Sequence, residues 1–153
     1  MDAGCYPLSL VRFLMDAEPE VISAKAKLIK PDVDSRVEAN LRFPNNIDAH
    51  VVCDMLSPKL FDSFLKVEGD SGEMQVINPY HPHWFHRISI RNSKGTWHGQ
   101  VKGDNVYTLQ LQAFASAIQS GTPVITDANQ AVNTMRLIDA VYEKAGLPLR
   151  GKT

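Results

Sequence analysis

The chain has 153 residues, 44% hydrophobic and 22% charged, a balance that fits one folded domain with its own core. A net charge of −1 excludes general attraction to nucleic acid or to an anionic membrane, and no apolar run approaches the roughly 20 residues of a spanning helix. Two cysteines, Cys5 and Cys53, are too few for a disulfide framework, so a reducing cytoplasm is the expected location.

The first residues lack a basic leader, and Pro7 and Ser9 interrupt their short apolar stretch, so they do not read as a signal peptide. Leu8, Leu10, Val11, Phe13, Leu14 and Met15 predict one short buried helix, reached through a polar turn at Asp2 to Tyr6. It should stop near Asp16, because Glu18 precedes Pro19 and is pushed away from the helical region. Period-two alternation follows. Ile22, Ala24, Ala26 and Leu28 share one face of a strand, and Ser23, Lys25 and Lys27 the other. After a turn at Pro31-Asp32, a second strand sets Val33, Ser35, Val37, Ala39, Leu41 and Phe43 against Asp34, Arg36, Glu38, Asn40 and Arg42.

Pro44-Asn45-Asn46 signals a hairpin into a strand with Ile47, Ala49, Val51, Cys53 and Met55 on one face. Four shorter strands follow: Phe61, Ser63, Leu65 and Val67; Met74 and Val76; Trp84, His86, Ile88 and Ile90; and one around Trp97 and Val101. The period then changes to 3.6. Val106, Leu109, Ala113, Phe114, Ala117 and Ile118 line a helix capped by Asp104 or Asn105 and ended at Gly121. A last helix starts at Asp127, which has capping-box spacing to Gln130. Its predicted apolar face is Ala128, Ala131, Val132, Met135, Ile138, Val141 or Tyr142, and Ala145, and Gly146 ends it. Strands in a block, flanked by helices, predict an α+β fold: an open, mainly antiparallel sheet with helices packed on one face. No glycine-rich strand-to-helix turn of the nucleotide-binding kind is present.

An ordered set of motifs carries a resemblance. It comprises Asp2-Ala3-Gly4-Cys5-Tyr6-Pro7-Leu8-Ser9, Ala17-Glu18-Pro19-Glu20-Val21, Val33-Asp34 leading into Leu41-Arg42-Phe43-Pro44, and Val67-Glu68-Gly69 with Gly72-Glu73. Asn78-Pro79-Tyr80, then Tyr107-X-X-Gln110-X-X-Ala113-Phe114-X-X-Ala117-Ile118-X-X-Gly121, and finally Arg136-Leu137-Ile138-Asp139-Ala140-Val141-Tyr142 complete it. Together they resemble the C-terminal domain of the Gfo/Idh/MocA oxidoreductases over nearly the whole chain. The resemblance implies that residues 1–153 form a single substrate-binding and oligomerisation domain, apparently truncated at its N-terminus. It also implies that a Rossmann domain, absent from this sequence, would hold NAD or NADP in the full-length enzyme. No cofactor is expected to bind this chain alone. A homo-oligomer through the sheet face, with the stripe Asp34, Arg36, Glu38, Asn40 and Arg42 as its candidate surface, is the expected assembly.

Tyr6 stands where many members of the family have histidine, and Ser9 where they have a second aspartate. The tyrosine variant resembles the branch with glucose–fructose oxidoreductase, dihydrodiol dehydrogenase and some aldose dehydrogenases, where such a tyrosine is the general acid/base. Oxidation or reduction of a carbinol needs a group that takes or gives the hydroxyl proton, and a phenol, with a reference pKa of about 10, needs a nearby cation to do so near neutrality. From spacing alone, Tyr6 reads sooner as a residue that packs at a helix start with its hydroxyl in water, and it is the resemblance that implies the catalytic role. Asp2 either orients Tyr6 or binds a sugar hydroxyl, or is a helix-start aspartate favoured by the dipole. Tyr80, His81 and His83 lie on a loop that resembles the family's Asn-Pro-Phe region, and they are the substrate-facing candidates for a sugar-like small molecule. His81 and His83 share a side of an extended chain and His86 points the other way, so no metal site is expected. The expected function is therefore the substrate half of an NAD(P)-linked oxidoreductase for a sugar, polyol or dihydrodiol. The rival is a non-catalytic assembly or ligand-binding module on the same fold.

Overall fold

The computed structural model describes residues 3–31, 33–58 and 62–149. Among them are three α-helices and seven strands, every strand pair antiparallel, which makes the fold α+β. The strands form two open sheets rather than the one expected: β1 (Glu20–Lys30), β2 (Val33–Phe43) and β3 (Ile47–Asp54) in one, and β4 (Phe64–Gly69), β5 (Gly72–Ile77), β6 (Arg87–Asn92) and β7 (Gly95–Gly99) in the other, each in sequence order. The sheets lie in different compact units, Met1–Pro58 with Ile125–Thr153, and Lys59–Val124.

In the first unit, α1 (Cys5–Met15) and α3 (Ala128–Lys144) pack on the three-stranded sheet and on each other. β2 is central, and Val37, Ala39, Leu41 and Phe43 on its inner face meet Leu8 of α1 and Leu137, Ile138, Val141 and Tyr142 of α3 in one buried cluster. Burying a side chain such as Leu41, 1% exposed, stabilises the fold by about 1.5–3 kcal/mol. α1 ends at Asp16, in the left-handed region at φ 46°, and the chain enters β1 four residues later.

Three register shifts interrupt the β1–β2 ladder, and the first two displace the expected faces. Val21 pairs with Leu41 and Ser23 with Asn40, so Ile22 is an extra residue. Val21 is consequently buried and Ile22 exposed, although strict alternation put Ile22 inside. Further along, Lys27 pairs with Arg36 and Leu28 with Asp34, which makes Ser35 the extra residue. Asp34 and Ser35 are both buried as a result. Asp34 therefore leaves the outward polar stripe, which keeps Arg36, Glu38, Asn40 and Arg42. Polar partners lace that stripe: Arg36 pairs with Glu38 along β2 and with Asp54 on β3, Arg42 pairs with Asp48 across to β3, and Asn40 donates to Ser23 of β1 and accepts from His50 of β3.

α3 begins where expected, with the Asp127 carboxylate accepting from the Gln130 N–H at 2.8 Å. Its inner face differs from the expected one. Thr134, Leu137, Ile138, Val141 and Tyr142 are buried, whereas Val132 and Met135 are exposed. The helix closes through Gly146 at φ 72°, whose N–H donates to Glu143 O while Leu147 N–H donates to Tyr142 O.

In the second unit, cross-strand pairing puts Leu65, Val76, Ile88 and Gly99 in one row and Val67, Met74, Ile90 and Trp97 in the next, all on one face. The Trp97 indole lies over Gly99, where a Cβ would come within 2.1 Å of the ring. The opposite face carries Lys66, Glu68, Glu73 and Arg91 as a chain of ion pairs. Gly72 opens β5 at φ 149° with no room for a Cβ, which would sit 2.2 Å from the Arg91 carbonyl. Trp84 and His86 fall in the turn ahead of β6 rather than in the strand, and Val101 lies beyond β7. α2 (Val106–Ser120) is capped by Asn105, which accepts from Tyr107 N–H at 2.9 Å, and ends at Gly121. Its expected apolar face is left uncovered, with Leu109, Phe114 and Ile118 exposed.

Candidate functional site

Tyr6 lies on the first turn of α1. Cys5, Leu8, Ser9 and Arg12 recur at helical spacing on the inner face, and Tyr6 and Phe13, seven residues apart, occupy the outer one at 59% and 60% exposure. The phenol is therefore presented outward from a helix whose other face is held firmly. Asp2 lies outside the described residues. Ser9 faces α3, where its hydroxyl is 3.2 Å from Thr134 Oγ1.

Arg12, 5% exposed, is the anchor of α1, and its burial runs against what its charge suggests. Its guanidinium grips both oxygens of Glu18, donates to Thr134 Oγ1 at 2.8 Å and to Gln130 Oε1 at 3.0 Å, and so ties α1 to α3 and to the approach to β1. The hydrogen bond from Arg12 holds the Glu18 carboxyl below its usual range despite partial burial. The 5-8-9-12 spacing that places Arg12 inside is legible in the sequence, but a charged residue at that position argues for the surface, and sequence reasoning missed it. A groove of about 620 Å³ runs beside this anchor between α3 and the start of β1, lined by Pro19, Val21, Arg136, Leu137 and Ala140. It holds none of the residues expected from sequence.

A second buried polar pair sits deeper. The Tyr142 hydroxyl, from α3, donates to Asp34 Oδ1 at 2.6 Å, with the two residues 2% and 7% exposed. Burial pushes the Asp34 carboxyl up, and the hydrogen bonds it accepts, Tyr142's among them, outweigh this and hold it below the usual aspartate range. Cys5 and Cys53 are not in disulfides, and burial pushes the Cys53 thiol up, away from a reactive thiolate.

Tyr80, His81 and His83 lie on the loop between β5 and β6, where the two imidazoles are 6.1 Å apart, and Asn78 builds that loop. Asn78 is buried, adopts φ 54°, and donates through Nδ2 to the carbonyls of His81 (2.9 Å) and Phe85 (2.8 Å), while its N–H donates to Ser63 O. Asparagine tolerates this left-handed conformation, and its amide supplies the two donors that close the loop. His86 is equally structural. Its Nδ1 donates to the Pro82 carbonyl at 2.7 Å and its Nε2 accepts from Val101 N–H at 2.8 Å, which fixes the neutral tautomer and leaves neither nitrogen for a ligand.

The remaining rings pack on one another. His81 stacks on Trp84 with centroids 4.9 Å apart and planes at 17°, and His83 meets Trp84 edge-on at 5.6 Å and Tyr107, at the start of α2, at 6.1 Å. Among the described residues no three His, Cys, Asp or Glu side chains converge on a metal position. Trp84 and Tyr107 are the members of this cluster that the substrate-facing set expected from sequence lacked.

A dinucleotide cradle is built from parallel strands and a glycine-rich turn that opens a helix N-terminus towards phosphate. Here every described strand pair is antiparallel, and the starts of α2 and α3 are already capped by Asn105 and Asp127. Among the described residues no cradle of that kind is built from parallel strands.

Residues 1–75 match the family model described as the GFO/IDH/MocA C-terminal domain. The match covers just under half of the chain. Among curated relatives, a D-xylose 1-dehydrogenase (NADP(+)) of Haloferax volcanii is 23% identical over 147 residues, covering 95% of this chain and 45% of that protein. A D-xylose 1-dehydrogenase [NADP(+)] of Haloarcula marismortui is 25% identical over 149 residues, covering 94% and 40%. The chain thus spans less than half the length of the curated relatives it matches. Among solved structures, the aldose-aldose oxidoreductase of Caulobacter crescentus complexed with glycerol superposes with a TM-score of 0.80 at 20% identity, covering 94% of this chain and 44% of that one. KijD10, a 3-ketoreductase of Actinomadura kijaniata in complex with NADP and TDP-benzene, gives 0.81 at 18%, covering 94% and 44%. These two likenesses speak for the fold.

Proposed function

We propose that the chain is the substrate-binding and oligomerisation domain of a cytoplasmic NAD(P)-dependent oxidoreductase acting on a sugar, polyol or dihydrodiol. The observation that carries this reading is Tyr6, exposed on the first turn of a half-buried, arginine-anchored helix within the segment that matches the family. The names of the sugar dehydrogenase relatives support the substrate class. In this reading Tyr6 gives or takes the substrate's hydroxyl proton at its phenolic oxygen. Asp2 orients it or binds a hydroxyl, and Tyr80, His81 and His83 face the substrate. NAD or NADP is held by sequence other than the described residues, and the chain alone binds neither. Self-association uses a sheet face.

The test is an NAD(P)-linked assay of the full-length protein that carries this chain, with D-xylose, other aldoses and polyols as substrates. Tyr6→Phe should lower kcat by about 10²–10⁴ with little change in KM, as expected for loss of a general acid/base. An unchanged kcat sinks the catalytic role of Tyr6, and micromolar binding of NAD or NADP by the chain alone in calorimetry sinks the assignment of the cofactor elsewhere.

A further inference from the structure

We propose that Trp84, backed by His81 and edged by His83 and Tyr107, is a stacking platform for a sugar ring, with the hydroxyls taken by the polar edges of the surrounding side chains. The proposal rests on the reading above that the substrate is sugar-like, and it names the surface that would recognise it.

The loop divides its polar groups into two sets. Asn78 and His86 spend their donors and acceptors on the backbone of the loop and of the segment after β7. They are scaffold. His81, His83, Trp84 and Tyr107 use their rings on one another and make no side-chain hydrogen bond among the described residues. Two imidazoles, an indole N–H and a phenol are thus gathered on one small surface with their polar edges uncommitted.

The geometry of Trp84 suits a pyranose. Trp84 is 65% exposed, yet its indole is held on one face by the near-parallel His81 ring and by an edge contact with His83. An exposed indole normally covers itself or samples rotamers, and this one is braced with most of its surface open. One face of an aldopyranose is a patch of C–H groups, which the electron-rich face of an indole attracts. The rim of the same sugar carries hydroxyls that need partners once water is displaced. His83 adds a specific one. Its Nδ1 is buried with no partner among the described residues, so a small turn of the ring that brings Nδ1 to a hydroxyl would relieve an unsatisfied group. An acyclic triol such as glycerol offers hydroxyls but no ring face, and should gain little from the platform.

Saturation-transfer NMR on this chain with D-xylose, and with glycerol as the ringless control, tests the proposal. The wild-type chain should transfer saturation to the C–H protons of xylose and much less to glycerol. Trp84→Leu should weaken xylose binding about three- to tenfold, the range of an aromatic contact. Tyr107→Phe, which keeps the ring, should weaken it less. Trp97→Leu, on the four-stranded sheet, should leave it unchanged. Because Trp84 is largely exposed, its replacement should preserve the far-ultraviolet circular dichroism of the chain. Xylose binding that survives Trp84→Leu at full strength, or absence of xylose binding by the wild-type chain, overturns the platform. In that event sugar turnover by the full-length protein, if seen, leaves the oxidoreductase reading standing, whereas absence of turnover on every aldose and polyol removes both.

Discussion

At the scale of single residues, the most consequential group is one that strand periodicity put on the wrong face. Asp34 alternates with apolar neighbours and reads as solvent-facing, but the extra residue Ser35 turns it inward against Tyr142. A bulge is not visible in a period-two pattern, because it is decided by how two strands register. The buried carboxylate makes the fold acid-sensitive. Its folded pKa lies below the ordinary value, so its contribution is fully present above about pH 4–5 and is lost as pH falls through the folded pKa. Tyr142→Phe removes a hydrogen bond to a buried charge and should cost about 1.5–3 kcal/mol at pH 7. It should also make the loss of stability between about pH 5 and pH 3 shallower, since less of the folded-state preference for the carboxylate remains to be lost. Urea midpoints of both proteins across that range check it. Parallel pH profiles would show that the hydroxyl is not what depresses Asp34.

At the scale of elements, the strands and helix ends were legible, and the partners of the faces were not. β2, the 3₁₀ turn at Pro44–Asn46 and the caps at Asn105, Gly121 and Asp127 depend on neighbours in sequence, so residue type and spacing are enough to mark them. The inner face of α3 depends on what it meets. Val132 and Met135 are as apolar as Ile138, but Thr134 is the residue buried, because Arg12 and Ser9 of α1 need its hydroxyl. The 78–86 loop makes the same point for the candidate site. Tyr80, His81 and His83 could be picked out by residue type, whereas the role of Asn78 rests on two carbonyls, three and seven residues away, that turn back towards it. Asn78→Asp tests that role with almost no change in shape. It replaces a two-donor amide by an acceptor facing two carbonyl oxygens in a buried position, and should cost at least about 2 kcal/mol. Chemical denaturation measures the loss, and the aromatic near-ultraviolet dichroism of Trp84 should fall with it. A variant as stable as the wild type would mean that the loop is held by its ring contacts instead.

At the scale of the whole molecule, the proposed self-association needs a surface that could meet another copy. The outward polar stripe of β2 is a poor choice on energetic grounds, since its charges already pair along the strand and with β3 and would have to be desolvated without new partners. The four-stranded sheet offers the opposite: two rows of directly paired apolar side chains, with Ile90 36% and Trp97 54% exposed. Flat antiparallel faces of this kind pack on one another at about 10 Å through interdigitated side chains. Size limits the strength. Four strands about 4.8 Å apart and six residues long span roughly 400 Å², half of the ~800 Å² per partner in a standard interface. Self-association through this face alone should therefore be weak, appearing as a rise in scattering mass towards that of a dimer as concentration climbs from about 10 μM to 1 mM. Ile90→Lys, which places a charge in the middle of the apolar rows, should hold the mass at that of a monomer across the same range. Trp97→Glu would do so too, but it also uncovers Gly99 and is the less clean probe. A chain that stays monomeric at 1 mM, or an Ile90→Lys variant that associates as the wild type does, would rule out this face. The second result would return attention to the polar stripe, where dimerisation would then have to be driven by exchange of ion pairs and would weaken steeply with salt.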